Sequence, residues 1–288
     1  MQTVLDCIPC FQVQALRAAR ASGASEQTQT RVLREVMHAI LEADWGDTPV
    51  DLGMPVHQMV RQITGVDDPF ADDKRQATEA ALSHLPALRR RIAGADYPLR
   101  MAVRIAIAGN IIDLGALEHF DLEETLERVC VIDFAIDHYE ALHGVLEDAD
   151  SVLLFADNAG EIVFDRLLLE TIAERWAPRI TLVVKSGPFI NDATIDDVRA
   201  SGLDAIDGLT VREVSNGDDG AAPIYASEEI DRWIAEHDLT IAKGQANYEA
   251  LSERKDVFFL LMAKCPCVAK SIGVNVGDII LQHGRRCR

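Results

Sequence analysis

The chain has 288 residues, 48% of them hydrophobic, and its 47 acidic against 28 basic side chains give a net charge of −19. That length suits one large domain or two ordinary ones, and the acidity argues against nucleic acid as a partner, because neutralising phosphates needs Lys and Arg. No apolar run approaches the ~20 residues of a membrane span, and Met1–Cys10 has neither the basic nor the long apolar part of a secretory signal, so no membrane association and a cytoplasmic location are expected.

Residues 1–148 read as a helical domain. Phe11, Val13, Leu16 and Ala19 fall at helical spacing, Ser25 suits a helix start, and Val32, Val36, Ile40 and Leu41 continue an apolar face. Further helices are expected at about 52–64, 72–93, 98–112 and 122–147, with breaks at Asp67-Asp68-Pro69 and Asp96-Tyr97-Pro98. Residues 149–288 change pattern. Strands are expected at Val152–Ala156, Ile180–Val184, Thr210–Val214, Leu239–Ala242, Val257–Leu261 and Ile279–Gln282. They alternate with helices at Glu161–Trp176, Thr194–Ala200, Ser227–Ala235 and Ala246–Leu251. Such alternation implies a Rossmann-like, doubly wound α/β domain, on which the helical domain packs. Asn216–Gly220 reads as an exposed loop.

The chemistry is expected at the carboxyl ends of these strands, where open α/β sheets bind ligands. The first run, Val152-Leu-Leu-Phe-Ala, ends on Asp157-Asn158-Ala159-Gly160-Glu161. Asp157 and Asn158 offer oxygens to a divalent cation, and the N–H groups that open the next helix, Ala159 and Gly160 among them, suit an anion. The second run ends on Lys185-Ser186 and leads to Asn191-Asp192. Asp192 would complete a hard oxygen shell suited to magnesium, manganese or a similar ion; Asn191-Asp192 also suits a plain helix cap. The third run ends on Lys243-Gly244-Gln245-Ala246-Asn247, and the fourth on Lys264. Gly244 permits close backbone approach. Lys185, Lys243 and Lys264 supply local positive charge, which a phosphate needs in so acidic a protein. Within the helical domain, Gly109-Asn110 interrupts good helix formers and would aim Asn110 and Asp113 into the cleft.

These motifs resemble the metal-dependent damage-control phosphatases, long catalogued as a domain of unknown function and including the acidic-residue methyltransferase-like proteins. The resemblance runs from Cys7-Ile8-Pro9-Cys10-Phe11 through Ala108-Gly109-Asn110-Ile111-Ile112-Asp113 and Asp157–Glu161 to Asn191-Asp192, Lys243–Glu249 and Lys264-Cys265-Pro266. The paired cysteines resemble the mostly prokaryotic branch. Leu261 and Met262 stand where other branches carry Arg and Thr, and Ala246 where many relatives carry glycine. The resemblance implies a divalent metal (manganese, magnesium, cobalt or nickel) on Asp157, Asn158 and Asp192. It also implies hydrolysis of small phosphorylated metabolites, with sugar phosphates and damaged phosphometabolites, such as phosphorylated cofactor precursors, both open as substrates.

Two routes follow for the chemistry. Asp157 attacks phosphorus directly, or water attacks with a carboxylate such as Glu161 assisting; an Asp-x-Asp pair is absent, which favours water. Lys243 or Lys264 would hold phosphate oxygens, with Asn110, Asp113, Ala159, Gly160, Lys185, Ser186, Gly244 and Asn247 as further contacts. A carboxyl methyltransferase using S-adenosylmethionine and a non-catalytic metal- or metabolite-binding protein are the alternatives. Cys7-x-x-Cys10 and Cys265-x-Cys267 would form a zinc site or redox pair if the chain ends met, and otherwise remain reduced thiols.

Overall fold

The computed structural model describes residues 1–109, 122–218 and 227–284, with side chains of 122–126 left aside. Three helices come first: α1 (Cys7–Ala21), α2 (Glu26–Glu42) and α3 (Pro49–Thr64). The hydroxyl of Ser25 accepts from the Thr28 N–H, so the expected helix start is the cap of α2. Phe11, Ala15, Val32, Val36, Val56 and Val60 meet in a cluster of their own. Next come α4 (Ala71–Ala93), α5 (Pro98–Gly109) and α6 (Leu122–Val131). The single helix expected over 122–147 is divided. A two-residue strand, β1 (Ile136–Asp137), separates α6 from α7 (Tyr139–Asp148).

The sheet then follows the expected alternation: β2 (Ser151–Phe155), α8 (Ile162–Trp176), β3 (Arg179–Lys185), α9 (Ile195–Ser201), β4 (Leu209–Val214), α10 (Glu228–Ala235), β5 (Leu239–Lys243), α11 (Gly244–Leu251), β6 (Val257–Met262), α12 (Pro266–Ile272) and β7 (Ile279–His283). The strand order is β1-β7-β6-β5-β2-β3-β4. All pairings are parallel except β6 with β7. The reason for the exception is local. Seven-residue α12, about 10 Å long, does not carry the chain back across the sheet. The Ala263 N–H donates to the Asp278 carbonyl (3.0 Å), so β7 starts at the rim where β6 ends.

Strand residues alternate between two apolar layers, as a period of two requires. Val152, Leu154, Leu182, Ile241 and Leu260 face α4, α5, α7 and α8. Leu153, Phe155, Val183, Ala242, Phe259 and Leu261 face α3, α10, α11 and α12. Burial on both faces explains why these strands read as continuous apolar runs. The first layer also joins side chains from both sides of residue 148, from Ala77 to Leu281.

The chain leaves β2 for β3 and β4, then returns to place β5 on the other side of β2. The gap between the ends of β2 and β5 is therefore the topological switch point, where such sheets open a crevice.

Candidate active site at the switch point

Asp157 and Asn158 leave the end of β2 and are stitched to the loop after β3. The Ala159 N–H donates to the Asn191 carbonyl (2.9 Å), and the Ala193 N–H to the Asp157 carbonyl (2.8 Å). Asn158 and Asp192 form an antiparallel bridge. Three polar side chains thus meet from two loops, each 7–8% exposed. Asp192 is not the cap of α9. Thr194 fills that place, in a capping box with Asp197, which leaves Asp192 for the crevice.

On the other side, Gly244 lies at φ +74°, and a Cβ there would fall 1.8 Å from Asp157 Oδ2. Only glycine permits this approach of β5 to the Asp157 carboxylate. Asn247 fastens the same gap: its amide donates to the carbonyls of Ala156 (2.9 Å) and Lys243 (2.7 Å). Both of its donors are spent on backbone, so the contact expected from Asn247 is limited to its oxygen, which has no partner among the described residues.

Lys243 departs from the expected exposed rim cation. It is fully buried, and its ammonium donates to Glu161 Oε1 (2.5 Å), Asp165 Oδ1 (2.6 Å) and the Ala106 carbonyl (2.9 Å). Three protons meet three acceptors, so Lys243 lies beneath Glu161 and is spent there, not on a phosphate oxygen. The Ala106 carbonyl belongs to the last turn of α5, where helix carbonyls lack intrahelical partners and attract cations. Gly109 makes room for this contact, since a Cβ would stand 2.7 Å from Phe164 and 3.1 Å from Glu161 Cγ. Asn110 and Asp113 lie outside the described residues.

Glu161 caps α8 and is fully buried. The Asn158 amide donates to Glu161 Oε2 (3.2 Å) and to Asp157 Oδ2 (2.9 Å). Asp165, one turn further, was not singled out from the sequence; the signal was a carboxylate four residues after Glu161 inside the apolar run Ile162–Leu169. Two carboxylates share one ammonium here. Burial therefore pushes the Asp165 carboxyl up to about 7 in spite of Lys243, with the Glu161 charge adding to the rise, while the Lys243 ammonium is held charged by Asp165 and Glu161.

The Ala159 N–H is committed to Asn191, which removes it from the expected anion contacts. Gly160 serves packing: a Cβ would meet Ala77 Cβ of α4 at 2.8 Å. Lys185 is buried, 3.8 Å from Asp192 Oδ2 and over the Phe189 ring. Ser186 is exposed and its hydroxyl accepts from the Asn216 N–H. Within the loop expected to be exposed, Asn216 is buried and Asp218 exposed, while residues 219–220 lie outside the described residues. Lys264 stands partly exposed at the rim, with its N–H held by Gln245 Oε1, and its charge reaches Asp157. The helical part adds Lys74 of α4, which pairs with Asp68 (3.4 Å) and Asp197 (3.2 Å) and also reaches Asp192.

The donor chemistry fits a divalent cation. Burial, then Glu161 and Asp192, pushes the Asp157 carboxyl well above its usual range. Burial pushes Asp192 up to about 6, with Lys185 and Lys74 opposing the rise and Glu161 adding to it. Acids gathered out of water with too little positive charge are a setting that a bound cation relieves. The set contains two carboxylates and an amide; among the described residues, no three His, Cys, Asp or Glu side chains form a metal cage. That also bears on the cysteines. The chain ends do meet: the Cys7 and Cys267 thiols are hydrogen-bonded to each other and pack in the α1–α3 cluster. Both remain free thiols, as do Cys10 and Cys265, and burial, followed by the neighbouring Cys7 and Cys265, pushes Cys267 up to about 12.

Comparison with known proteins finds relatives over nearly the whole chain. The family model for the damage-control phosphatase ARMT1-like domain matches residues 3–280. A damage-control phosphatase of Archaeoglobus fulgidus is 38% identical over 252 residues, 84% of this chain and 85% of that protein. The damage-control phosphatase PH1575 of Pyrococcus horikoshii is 30% identical over 293 residues, 99% of each. An uncharacterized protein of Methanocaldococcus jannaschii is 34% identical over 290 residues, 96% of this chain and 93% of that one. The crystal structure of the Pyrococcus protein, described as a DUF89 family protein, superposes with a TM-score of 0.87 and 27% identity, covering 99% of this chain and 100% of that one.

Proposed function

Because the chain belongs to the ARMT1-like damage-control phosphatase family, we propose that it is a divalent-metal-dependent phosphatase of small phosphorylated metabolites, working at the β2/β5 switch point. The observation that carries this reading is the convergence of Asp157, Asn158 and Asp192, buried together, with the two carboxyls held above their usual range by burial. These three residues would hold the cation, which would neutralise and orient the phosphoryl group. Lys264 at the open rim binds a phosphate oxygen. Glu161 takes the proton of an attacking water, and hydrogen bonds from Lys243 and the Asn158 amide hold its carboxylate in place for that task. This assigns Asp157 to binding rather than to nucleophilic attack.

The methyltransferase alternative has less support. The open side of Gly160, where a cofactor would approach a glycine-containing loop, is filled by Ala77 of α4. Turnover separates the phosphatase from a non-catalytic binding module. The test is phosphate release from a panel of sugar phosphates, with manganese, cobalt, nickel or magnesium and after chelation. Metal-stimulated release is expected from the wild-type chain, and its loss in the folded Asp157→Ala/Asp192→Ala variant. Undiminished release from that variant overturns the site.

A further inference from the structure

Ile190 holds a backbone angle that its own side chain disfavours. Its φ is +48°, in the left-handed region, where a β-branched residue is a steric outlier. It lies in the turn that delivers Asp192, closed by the Asp192 N–H to the Phe189 carbonyl (2.9 Å). A turn with positive φ at this place is served without penalty by glycine, and readily by asparagine. Strain of this kind persists where the surroundings over-determine it.

The surroundings here are two separate apolar clusters. Ile190 packs against the α1–α3 cluster, which contains Phe11, Val56 and Phe70, and also against the sheet-face cluster, which contains Phe155, Val183 and Tyr248. Its neighbour Phe189 is buried and meets His57 of α3 edge-on at 5.4 Å. Two residues later, Asp192 bridges to Asn158. The side chain of Ile190 is thus a wedge between the helical part and the sheet, and the carboxylate it places is the one that comes from the second loop.

We propose that Ile190 is a positioning residue for Asp192: its wedge, held at the expense of a left-handed backbone, keeps the carboxylate against Asp157 and Asn158 for the cation. The inference rests on the metal-site reading of those three residues. It separates metal affinity from fold stability. Replacing Ile190 by Gly or Asn loses packing but relieves the backbone, so the two effects on the fold oppose each other. No such relief helps the carboxylate.

The test is calorimetric titration with Mn²⁺, alongside thermal unfolding in metal-free buffer, on the full chain and on Ile190→Gly, Ile190→Asn and Ile190→Val. In the Gly and Asn variants the metal-free Tm is expected to stay within about 5 °C of wild type, while the Mn²⁺ dissociation constant rises about tenfold. Ile190→Val keeps the β-branch and most of the wedge, and is expected to bind within about twofold of wild type. Unchanged affinity in the Gly and Asn variants overturns the proposal. So does a Val variant as weak as the Gly variant, or failure of the Gly and Asn variants to fold, since the side chain would then serve the fold. A wild-type chain that binds no Mn²⁺ overturns the metal-site reading instead.

Discussion

Lys243 shows how far burial decides what a residue does. Its ammonium is enclosed with Glu161 and Asp165 and donates to both. Removing one partner of a buried ion pair leaves uncompensated charge and costs about 3–5 kcal/mol. Lys243→Met is therefore expected to destabilise the chain by that order in urea unfolding, and adding Glu161→Gln and Asp165→Asn is expected to recover much of it; a single variant as stable as wild type contradicts the assignment. Gly244 makes the complementary point. A methyl group placed 1.8 Å from Asp157 Oδ2, on a backbone at φ +74°, must displace either the carboxylate or β5. Gly244→Ala is expected to lower metal-stimulated phosphate release by at least about 100-fold, and retained turnover would show that the crevice is looser than described. Both residues were visible in the sequence as a strand-end Lys-Gly pair. Their directions were not: strand periodicity places Lys243 at the rim but does not reveal that Glu161 and Asp165 lie beneath it. Asp165 escaped notice because a carboxylate inside an apolar helix has no mark until its partner is located.

The elements were easier to read than the residues. Apolar runs, and in the edge strand β4 an alternating pattern, marked six of the seven strands among the described residues to within about two residues, the usual precision of element ends. The seventh, β1, has two residues within a stretch of helical composition, and it exists because β7 offers it an edge. Nothing local in Ile136-Asp137 marks it. The antiparallel direction of β7 is likewise a property of the connection, not of the strand. Gly160 acts at this scale too. It reads as a turn residue, yet it is the place where α4 rests on the site loop, with Ala77 Cβ 2.8 Å from where its own Cβ would stand. Gly160→Ala is expected to cost about 1–3 kcal/mol through overpacking. Pairing it with Ala77→Gly should recover part of that loss in a double-mutant cycle, whereas strictly additive losses would place the constraint elsewhere.

For the whole molecule, the topology brings the acids together and the charge balance makes that costly. The chain carries −19, and burial holds Asp165 at about 7, above its ordinary 3.8. The sign follows from proton uptake: a carboxyl whose folded pKa is raised binds its proton more tightly in the folded state. Its contribution to stability is thus complete below the ordinary value and lost as pH rises through about 7. Metal-free protein is expected to lose urea resistance between about pH 4 and pH 7, and Asp165→Asn to flatten that slope; an unchanged slope in the variant would assign the loss to the other raised carboxyls, Asp157 and Asp192, and to the general repulsion of an acidic chain. Among the described residues, no helix is long and apolar enough to cross a membrane.

The central claim is that the switch point holds a divalent cation between Asp157, Asn158 and Asp192. Anomalous diffraction from crystals soaked in Mn²⁺ tests it most directly. A strong peak is expected within coordination distance, about 2–2.6 Å, of oxygens from all three side chains, and is expected to disappear in Asp192→Ala. A site filled elsewhere, or a peak that ignores Asp192, would contradict it.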